Sequence, residues 1–206
     1  MWAGACGPTD AFGEGGRALA EPTAKVAGTS PRPAKSPGEN RALRVGEEVP
    51  DFTLTDQTGK PVRLSRFRGQ PVFVTFLYTA CPVLTVCPMA TAKFSKLAAK
   101  LKEKPLGHLL VITVDPQNDT PAVLREYAKT AGADPARWSF LTGDPKVVAE
   151  VCARFGIEYQ RRGAQVLHTE GVVVIGPDGK VSSIYYGGTW EPEHVLRDME
   201  LELAKG

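Results

Sequence analysis

Two cysteines in one short segment are the residues of this chain whose type and spacing best fit redox or metal-binding chemistry. Cys81 and Cys87 enclose five residues in the segment Cys81-Pro-Val-Leu-Thr-Val-Cys87-Pro88. A loop of that length can fold back and bring the two sulfurs together, where they close a disulfide or bind a soft metal. Free cysteines are also often buried, so two packing residues are the alternative interpretation.

The sequence around the pair predicts how the loop is positioned. Residues 71–78 form a nearly continuous apolar run rich in β-branched and aromatic residues, which predicts a buried central strand. Pro88 is typical of the first turn of a helix, so Cys87 falls at the predicted N-cap, where backbone N–H groups and the helix dipole stabilise a thiolate. The loop therefore follows the carboxyl end of a strand, the position at which α/β sheets usually bind ligands.

The chain beyond residue 45 alternates strand patterns with helix patterns. The helix after the loop is predicted to bury one face that carries Met89, Phe94, Leu97, Ala98 and Leu101. The other predicted elements are a hairpin around Asp56–Gly59, a strand His108–Val114, a helix from Pro121 to about residue 131, a strand Trp138–Leu141, a helix from Pro145 to about residue 156, a hairpin of Gly171–Ile175 and Val181–Tyr185, and a helix from about Pro192 to residue 204. This order predicts the α/β class, with an N-terminal β-hairpin and helices packed on a sheet.

Composition excludes several classes of protein. The chain has 206 residues, of which 42% are apolar and 23% charged, as in ordinary globular domains. The net charge is +2 and no segment concentrates Lys and Arg among aromatic residues, so we expect no nucleic-acid partner. The longest apolar runs, Val72–Leu77 and Leu109–Val114, are far shorter than the roughly 20 residues of a membrane-spanning helix. Four cysteines are too few for a disulfide scaffold.

The first 45 residues differ in composition from the remainder. They contain seven Gly and five Pro, and such a segment cannot bury enough apolar surface to offset its loss of chain entropy. We therefore expect a disordered tether over residues 1–45 and one folded domain over residues 46–206. Small residues precede Cys6, as at the end of a bacterial lipoprotein signal, where the cysteine is lipidated and becomes the membrane anchor. A cysteine present by chance in a disordered tail is the alternative.

Residues 46–186 resemble the Sco/SenC family of thioredoxin-fold copper proteins, which assist assembly of the binuclear copper centre of cytochrome c oxidase. The resemblance rests on segments that occur in the family's order: 46–59 as the entry hairpin, 75–82 with 87–88 as the cysteine loop, 114–121 after the next strand, and 168–179 as the ligand histidine and the following hairpin. The commonest family loop has three residues between its cysteines, whereas this chain has five.

The resemblance implies a thioredoxin-like α/β fold with a central mixed sheet flanked by helices. It also implies a copper site made by Cys81, Cys87 and His168, because His168 stands where redox thioredoxins carry a cis-proline that faces their cysteines. Two thiolates and an imidazole suit Cu(I), and the imidazole also permits Cu(II), whereas structural zinc normally needs a fourth protein ligand. Asp115 is predicted either to orient this site through a hydrogen bond to a metal ligand or only to begin the Asp-Pro turn. A capping or buried histidine is the alternative for His168.

Several other positions are interpreted mainly as structure. His108 begins an apolar strand and is expected at the edge of the core, whereas His194 is expected on the surface of the last helix. Cys152 has apolar neighbours on a helix and is expected in the core. Tyr159 precedes a predicted loop that contains Arg161–Arg162. Tyr159 is predicted to help cover the site or to dock a partner, and a simply solvated basic loop is the alternative.

Three functions of different classes fit these observations. The first is a copper metallochaperone anchored outside the cytoplasm, in the periplasm or on the outer face of the cytoplasmic membrane. Its partners would be the copper-site subunit of cytochrome c oxidase or another cuproprotein, together with a copper donor or a thiol-reductant protein. The second is an extracytoplasmic thiol–disulfide oxidoreductase that uses Cys81 and Cys87. A thiol peroxidase fits less well, because Tyr78 occupies the position where such enzymes place Thr or Ser. The third is a binding or structural module.

Overall fold

The computed structural model describes residues 41–81, 87–103, 107–163 and 165–204. The predicted tether up to residue 40, the predicted lipidation site Cys6 and loop residues 82–86 lie outside this part of the chain. The side chain of Cys87 lies outside it as well, although the backbone of Cys87 is described.

Strands and helices alternate along the described residues, and most of them are the predicted elements. In chain order they are β1 (Thr53–Asp56), β2 (Pro61–Arg63), β3 (Val72–Leu77), α1 (Cys87–Glu103), β4 (His108–Thr113), α2 (Pro121–Thr130), β5 (Trp138–Thr142), α3 (Pro145–Arg154), β6 (Tyr159–Arg162), β7 (Gln165–His168), β8 (Gly171–Ile175), β9 (Val181–Tyr186) and α4 (Pro192–Leu203). A short 3-10 helix, Leu64–Phe67, follows β2.

The main sheet is mixed, which confirms that part of the predicted fold. Its strand order is β2-β1-β5-β4-β3-β8-β9. The three central strands β5, β4 and β3 are parallel, and β1 and β8 join them in the antiparallel direction. Every residue of β3 and of β4 is buried, as expected for continuous apolar runs in the middle of a sheet covered on both faces.

The strand directions bring three segments to one edge of this sheet. Leu77 pairs with Thr113, so the parallel strands β3 and β4 end side by side. The antiparallel strand β8 begins near the same edge, because Val172 pairs with Thr75. The chain that leaves β3, the chain that leaves β4 and the chain that enters β8 are therefore neighbours. We call this the site edge, formed by residues 78–81, 114–119 and 168–170.

Two of the helices that flank the sheet begin with side-chain caps. The Thr120 hydroxyl accepts a hydrogen bond from the N–H of Val123, and Pro121 follows as the first residue of α2. Asp144 accepts from the N–H of Lys146 at 2.8 Å in the same position before α3. These caps confirm the helix starts that the prolines predict. None of the described helices has the length and apolarity needed to cross a membrane.

Helix α1 packs on α4 and on the sheet through an aromatic cluster. The Phe94 ring meets the Trp190 ring edge-on, with 5.8 Å between centroids, and also contacts Trp138. Leu97 and Leu101 continue this buried face. Met89 is 45% exposed, so its predicted place on the face is wrong. The reason is geometric, because five residues advance a helix by about 140° beyond a full turn and carry Met89 away from Phe94.

The hairpin of β6 and β7 was not predicted from the sequence. These strands form a separate two-stranded antiparallel sheet, in which Tyr159 pairs with His168 and Arg161 pairs with Val166. The predicted Arg161–Arg162 loop is therefore a strand. Its residues lack an alternation of apolar and polar side chains, because most of the hairpin is exposed and Val166 is its one fully buried residue among those described.

The folded part of the chain also begins earlier than residue 46. The N–H of Leu43 donates to the carbonyl of Arg154 at 2.7 Å, and Leu43 packs against the core. The N–H of Gly46 donates to the carbonyl of Val181 at 2.8 Å. A single leucine in a stretch of polar and small residues gives no periodic signal, so sequence reasoning placed it in the tether.

Candidate metal centre at the site edge

Tyr78 links the start of the cysteine loop to the strand that carries His168. Its side chain is 1% exposed, and its hydroxyl accepts a hydrogen bond from the backbone N–H of Val166 at 3.2 Å. The Tyr78 ring also meets the His168 ring edge-on, with 6.1 Å between centroids. Cys81 follows three residues later, half-buried and packed against the core. The described part of the loop therefore leaves the sheet beside the predicted ligand histidine.

The hydrogen bond made by His168 fixes which of its nitrogens can bind a metal. Nδ1 lies 3.0 Å from the carbonyl oxygen of Thr169. A carbonyl only accepts, so Nδ1 carries the proton and the lone pair stands on Nε2. Burial lowers the pKa of His168 below its ordinary value, which favours the neutral ring at neutral pH. Histidines that bind metals usually have this arrangement, because the backbone contact sets both tautomer and ring direction.

Asp115 forms an ion pair with the hairpin. Its side chain is 2% exposed, and its Oδ1 accepts a hydrogen bond from Nη2 of Arg161 on β6. The other carboxylate oxygen accepts from the amide of Asn118 at 2.8 Å. The backbone carbonyl of Asp115 also accepts from the N–H of Asp119 at 2.9 Å, so the residue begins the predicted turn. Arg161 was not predictable as the partner of Asp115, because the two residues are 46 positions apart in the chain.

Asp119 fixes the backbone just before Cys81, and sequence reasoning did not single it out. It is 1% exposed and accepts hydrogen bonds from the hydroxyls of Thr79 and Thr113. The N–H of Thr79 donates to the same carboxylate at 3.2 Å. Burial raises the pKa of Asp119, although the threonine hydrogen bonds oppose this shift. An acidic residue in the turn that follows a buried strand was the available signal, but the choice of Thr79 as partner depends on the fold.

The ligand set Cys81, Cys87 and His168 stays a prediction. Helix α1 begins at Cys87, so the backbone of this residue lies at a helix N-terminus as expected. Within the residues whose side chains are described, no three His, Cys, Asp or Glu form a group able to hold a metal ion. The thiol of Cys87, which the predicted set requires, lies outside those residues. The donor chemistry of two thiolates and one neutral imidazole fits a copper ion.

The structural interpretations of the remaining candidates are confirmed. His108 is 8% exposed, its Nε2 lies 2.9 Å from the Ser139 hydroxyl, and its ring stacks on Phe67. Burial is the main reason that its pKa falls to about 4. Cys152 is fully buried in α3, and burial raises its pKa to about 12. His194 is exposed in the first turn of α4.

Comparison with known proteins matches this chain to one family. A family model described as SCO1/SenC matches residues 41–204. The curated SCO1 protein homolog of Bacillus subtilis is 33% identical over 145 residues, which cover 68% of this chain and 74% of the relative.

Solved structures with the same fold include three that bear on the site. A SCO1/SenC family lipoprotein from Bacillus anthracis has a TM-score of 0.69 and 29% identity, over 77% of this chain and 98% of that one. BsSco, described as a member of the Sco family of cytochrome c oxidase assembly proteins with a disulfide switch, has a TM-score of 0.67 and 28% identity, over 79% and 96%. Copper-bound ScoI of Bradyrhizobium japonicum has a TM-score of 0.61 and 30% identity, over 73% and 96%. These likenesses confirm the thioredoxin-like α/β fold.

Proposed function

Because the chain belongs to the SCO1/SenC family, we propose that it is a copper metallochaperone that assists assembly of the copper centre of cytochrome c oxidase. Two similar structures support this proposal. One holds copper, and the other is described as a cytochrome c oxidase assembly protein. Copper is then the cargo of this protein rather than a resident cofactor.

We propose that Cys81, Cys87 and Nε2 of His168 bind the copper ion. The observation that carries this assignment is the hydrogen bond from Nδ1 of His168 to the Thr169 carbonyl at 3.0 Å, because it directs the lone pair of the other nitrogen away from the backbone. The two thiolates suit Cu(I), which accepts soft ligands and low coordination numbers. The imidazole is the harder donor and stabilises Cu(II).

The partners and location follow from the same role. We propose that the recipient is the copper-site subunit of cytochrome c oxidase or another cuproprotein, and that a copper donor or thiol-reductant protein acts before it. We also propose an extracytoplasmic location with a lipid anchor at Cys6. The similar lipoprotein from Bacillus anthracis supports this location.

A thiol–disulfide oxidoreductase is the second candidate function. The disulfide switch named for the similar BsSco favours it. A thiolate of the pair Cys81 and Cys87 would attack the disulfide of a partner and form a mixed disulfide. The second thiolate would then displace the partner as a thiol, leaving this pair oxidised. Such a step also suits a chaperone, because the thiols of a recipient must be reduced before copper enters.

Metal analysis of the purified full chain tests the proposal. We expect one copper per chain in the reduced wild-type protein and loss of copper from the Cys81→Ser/Cys87→Ser double variant. We expect His168→Ala to weaken Cu(II) binding more than Cu(I) binding, whereas His194→Ala, which changes an exposed histidine, should match the wild type. Equal copper retention by the wild type and the double cysteine variant would contradict the proposal. Disulfide-reducing turnover that survives His168→Ala without stable copper binding would favour the second candidate.

A further inference from the structure

We propose that Arg161 is a positioning residue for His168, because its ion pair with Asp115 holds the β6–β7 hairpin against the site edge. This inference rests on the proposed role of His168 as a copper ligand. Arg161 itself does not bind the metal in this proposal. It acts by fixing the position of the Arg161–Val166 pair of the hairpin, which lies two residues before His168 on β7.

The position of the hairpin depends on such side-chain contacts because the hairpin lies outside the main sheet. β6 and β7 pair only with each other among the described strands, and no ladder joins them to the seven-stranded sheet. The residues Gln160, Arg161, Arg162 and Leu167 are exposed, so the hairpin buries little apolar surface of its own. An isolated two-stranded hairpin is marginally stable in water. Its position is therefore set by the contacts that tie it to the site edge and by the chain on either side.

Two contacts of this kind meet at one rung of the hairpin. Arg161 lies opposite Val166 in the antiparallel register. Arg161 reaches Asp115, which follows β4, and the N–H of Val166 reaches Tyr78, which follows β3. One rung is thus tied to the ends of two adjacent parallel strands.

His168 lies two residues beyond this rung. That separation is about 7 Å along an extended strand, so a displacement or rotation of the rung passes directly to the imidazole. Because successive side chains of a strand alternate between its faces, Val166 and His168 share one face of the hairpin. The tie at Arg161 and the position of His168 are therefore parts of one short rigid element.

Because Asp115 is buried, loss of its ion pair with Arg161 should be costly to the folded structure. The Asp115 side chain is 2% exposed, whereas that of Arg161 is 39% exposed. A buried carboxylate that loses its guanidinium partner keeps the cost of burial without the compensating charge. Arg161→Gln should therefore drive Asp115 towards water and loosen the hairpin. Lysine at the same position keeps the charge but lacks the planar, fork-like geometry of arginine, so it should restore the contact only in part.

The expected consequence is specific to the oxidation state of copper. Cu(II) depends more than Cu(I) on the nitrogen donor, because the two cysteines already satisfy the softer ion. Loss of a residue that orients a metal ligand typically weakens metal binding by about 10- to 100-fold. We therefore expect Arg161→Gln to raise the Cu(II) dissociation constant by about 10-fold and to shift the Cu(II) electron paramagnetic resonance spectrum. Cu(I) affinity should stay close to that of the wild type.

The experiment compares Arg161→Gln and Arg161→Lys with Arg162→Gln in the full chain. Arg162 is the matched control, because it is the adjacent exposed arginine of β6 and its guanidinium contacts Gln160 at 3.3 Å. Arg162→Gln should leave the Cu(II) affinity and spectrum unchanged, and Arg161→Lys should lie between Arg161→Gln and the wild type. Equal Cu(II) affinities and spectra for Arg161→Gln and Arg162→Gln would overturn the inference.

A double-variant cycle separates action through His168 from a general loss of structure. If Arg161 acts by positioning His168, then Arg161→Gln should add nothing to the Cu(II) weakening already caused by His168→Ala. Full additivity in the Arg161→Gln/His168→Ala variant would contradict the inference. If Arg161→Gln fails to fold, the Arg161→Gln/Asp115→Asn variant removes both charges and the tie without leaving a buried unpaired charge. It should show the same Cu(II) loss, and wild-type Cu(II) binding in this variant would overturn the inference.

Failure of the proposed function would give a different pattern. In that case the wild type and Arg162→Gln would themselves bind no copper that depends on Cys81 and Cys87. Wild-type copper binding combined with no effect of Arg161→Gln would overturn only the positioning role.

Discussion

The hydroxyl of Tyr78 accepts a hydrogen bond from the backbone N–H of Val166 at 3.2 Å, and this contact joins the end of β3 to the strand that ends at His168. Tyr78 leaves the sheet three residues before Cys81. The same side chain therefore contacts the strand of one predicted ligand and precedes another in the chain. The arrangement gives the two predicted ligands a common structural support.

Tyr78→Phe is expected to destabilise the fold and to alter the copper site. The substitution removes the acceptor of the Val166 N–H, and a buried donor left without a partner costs about 1–3 kcal/mol of the free energy of unfolding. Denaturant-induced unfolding of the metal-free protein measures this loss. Because the hydrogen bond anchors β7, we also expect a shift in the thiolate-to-Cu(II) charge-transfer absorption of the loaded protein.

Tyr186→Phe is the matched control for Tyr78→Phe. The Tyr186 hydroxyl donates to the carbonyl of Phe155 at 3.1 Å, so this variant also loses one tyrosine hydrogen bond. Its side chain is 49% exposed, and water can replace the lost partner. We expect a smaller loss of stability and an unchanged Cu(II) spectrum. A Tyr78→Phe spectrum identical to that of the wild type would show that the hydrogen bond does not support the site.

The elements that were predictable from the sequence are those with strong local signals. The strands β3 and β4 are continuous runs of apolar residues, and α2 and α3 begin at a proline preceded by a capping side chain. That the chain leaving β3 approaches His168 was expected only from the resemblance to a known family. The structure supplies its physical reason, because β3 and β8 run in opposite directions and one ends where the other begins.

The contacts that support the site were not predictable in the same way. Arg161 lies 46 positions from Asp115, and Thr79 lies 40 positions from Asp119. Pairings over such distances depend on the tertiary fold and leave no periodic trace in one sequence. The hairpin of β6 and β7 was not predictable either, because most of its residues are exposed and show no alternation of apolar and polar side chains.

The metal-free protein in an oxidising medium should contain a Cys81–Cys87 disulfide and a reduced Cys152. Cys152 is fully buried and its pKa is raised to about 12, so at neutral pH it supplies almost no thiolate for exchange. Alkylation of the unfolded chain followed by peptide mass mapping identifies which cysteines are bridged. A native bridge that includes Cys152 would contradict both the assignment of the reactive pair and the core position of Cys152.

In the reduced metal-free protein, Cys87 should react with iodoacetamide faster than Cys81 at pH 6–7. Helix α1 begins at Cys87, and the N–H groups and dipole of a helix N-terminus stabilise a thiolate there. Cys81 precedes the loop and gains less from this field. The Cys81→Ser and Cys87→Ser variants, labelled separately across a range of pH, compare the two rates. Faster labelling of Cys81 would show that the helix N-terminus is not the dominant influence on reactivity.

The stability of the fold should fall between neutral pH and pH 5 because of His108. Burial, reinforced by the nearby Arg66 and Arg137, lowers the pKa of His108 from 6.5 to about 4. The unfolded chain therefore binds a proton at pH values where folded His108 does not, so acid favours unfolding. This contribution to stability is fully present above pH 6.5 and is lost as the pH falls from 6.5 towards about 4. By linkage, His108 alone should remove about 2 kcal/mol of unfolding free energy at pH 5.

His108→Gln isolates this effect from other titrating groups. Glutamine keeps a polar group within reach of Ser139 but does not titrate in this range.

Asp119, whose pKa is raised by burial, opposes the trend, since its protonation favours the folded state as the pH falls. His168, whose pKa is lowered by burial, acts in the same direction as His108. The wild type and His108→Gln share both contributions, which therefore cancel when the pH dependences of their unfolding free energies are compared. Unfolding free energies measured at pH 7.5 and pH 5 should therefore fall further in the wild type than in His108→Gln, and parallel falls would show that His108 is protonated inside the fold.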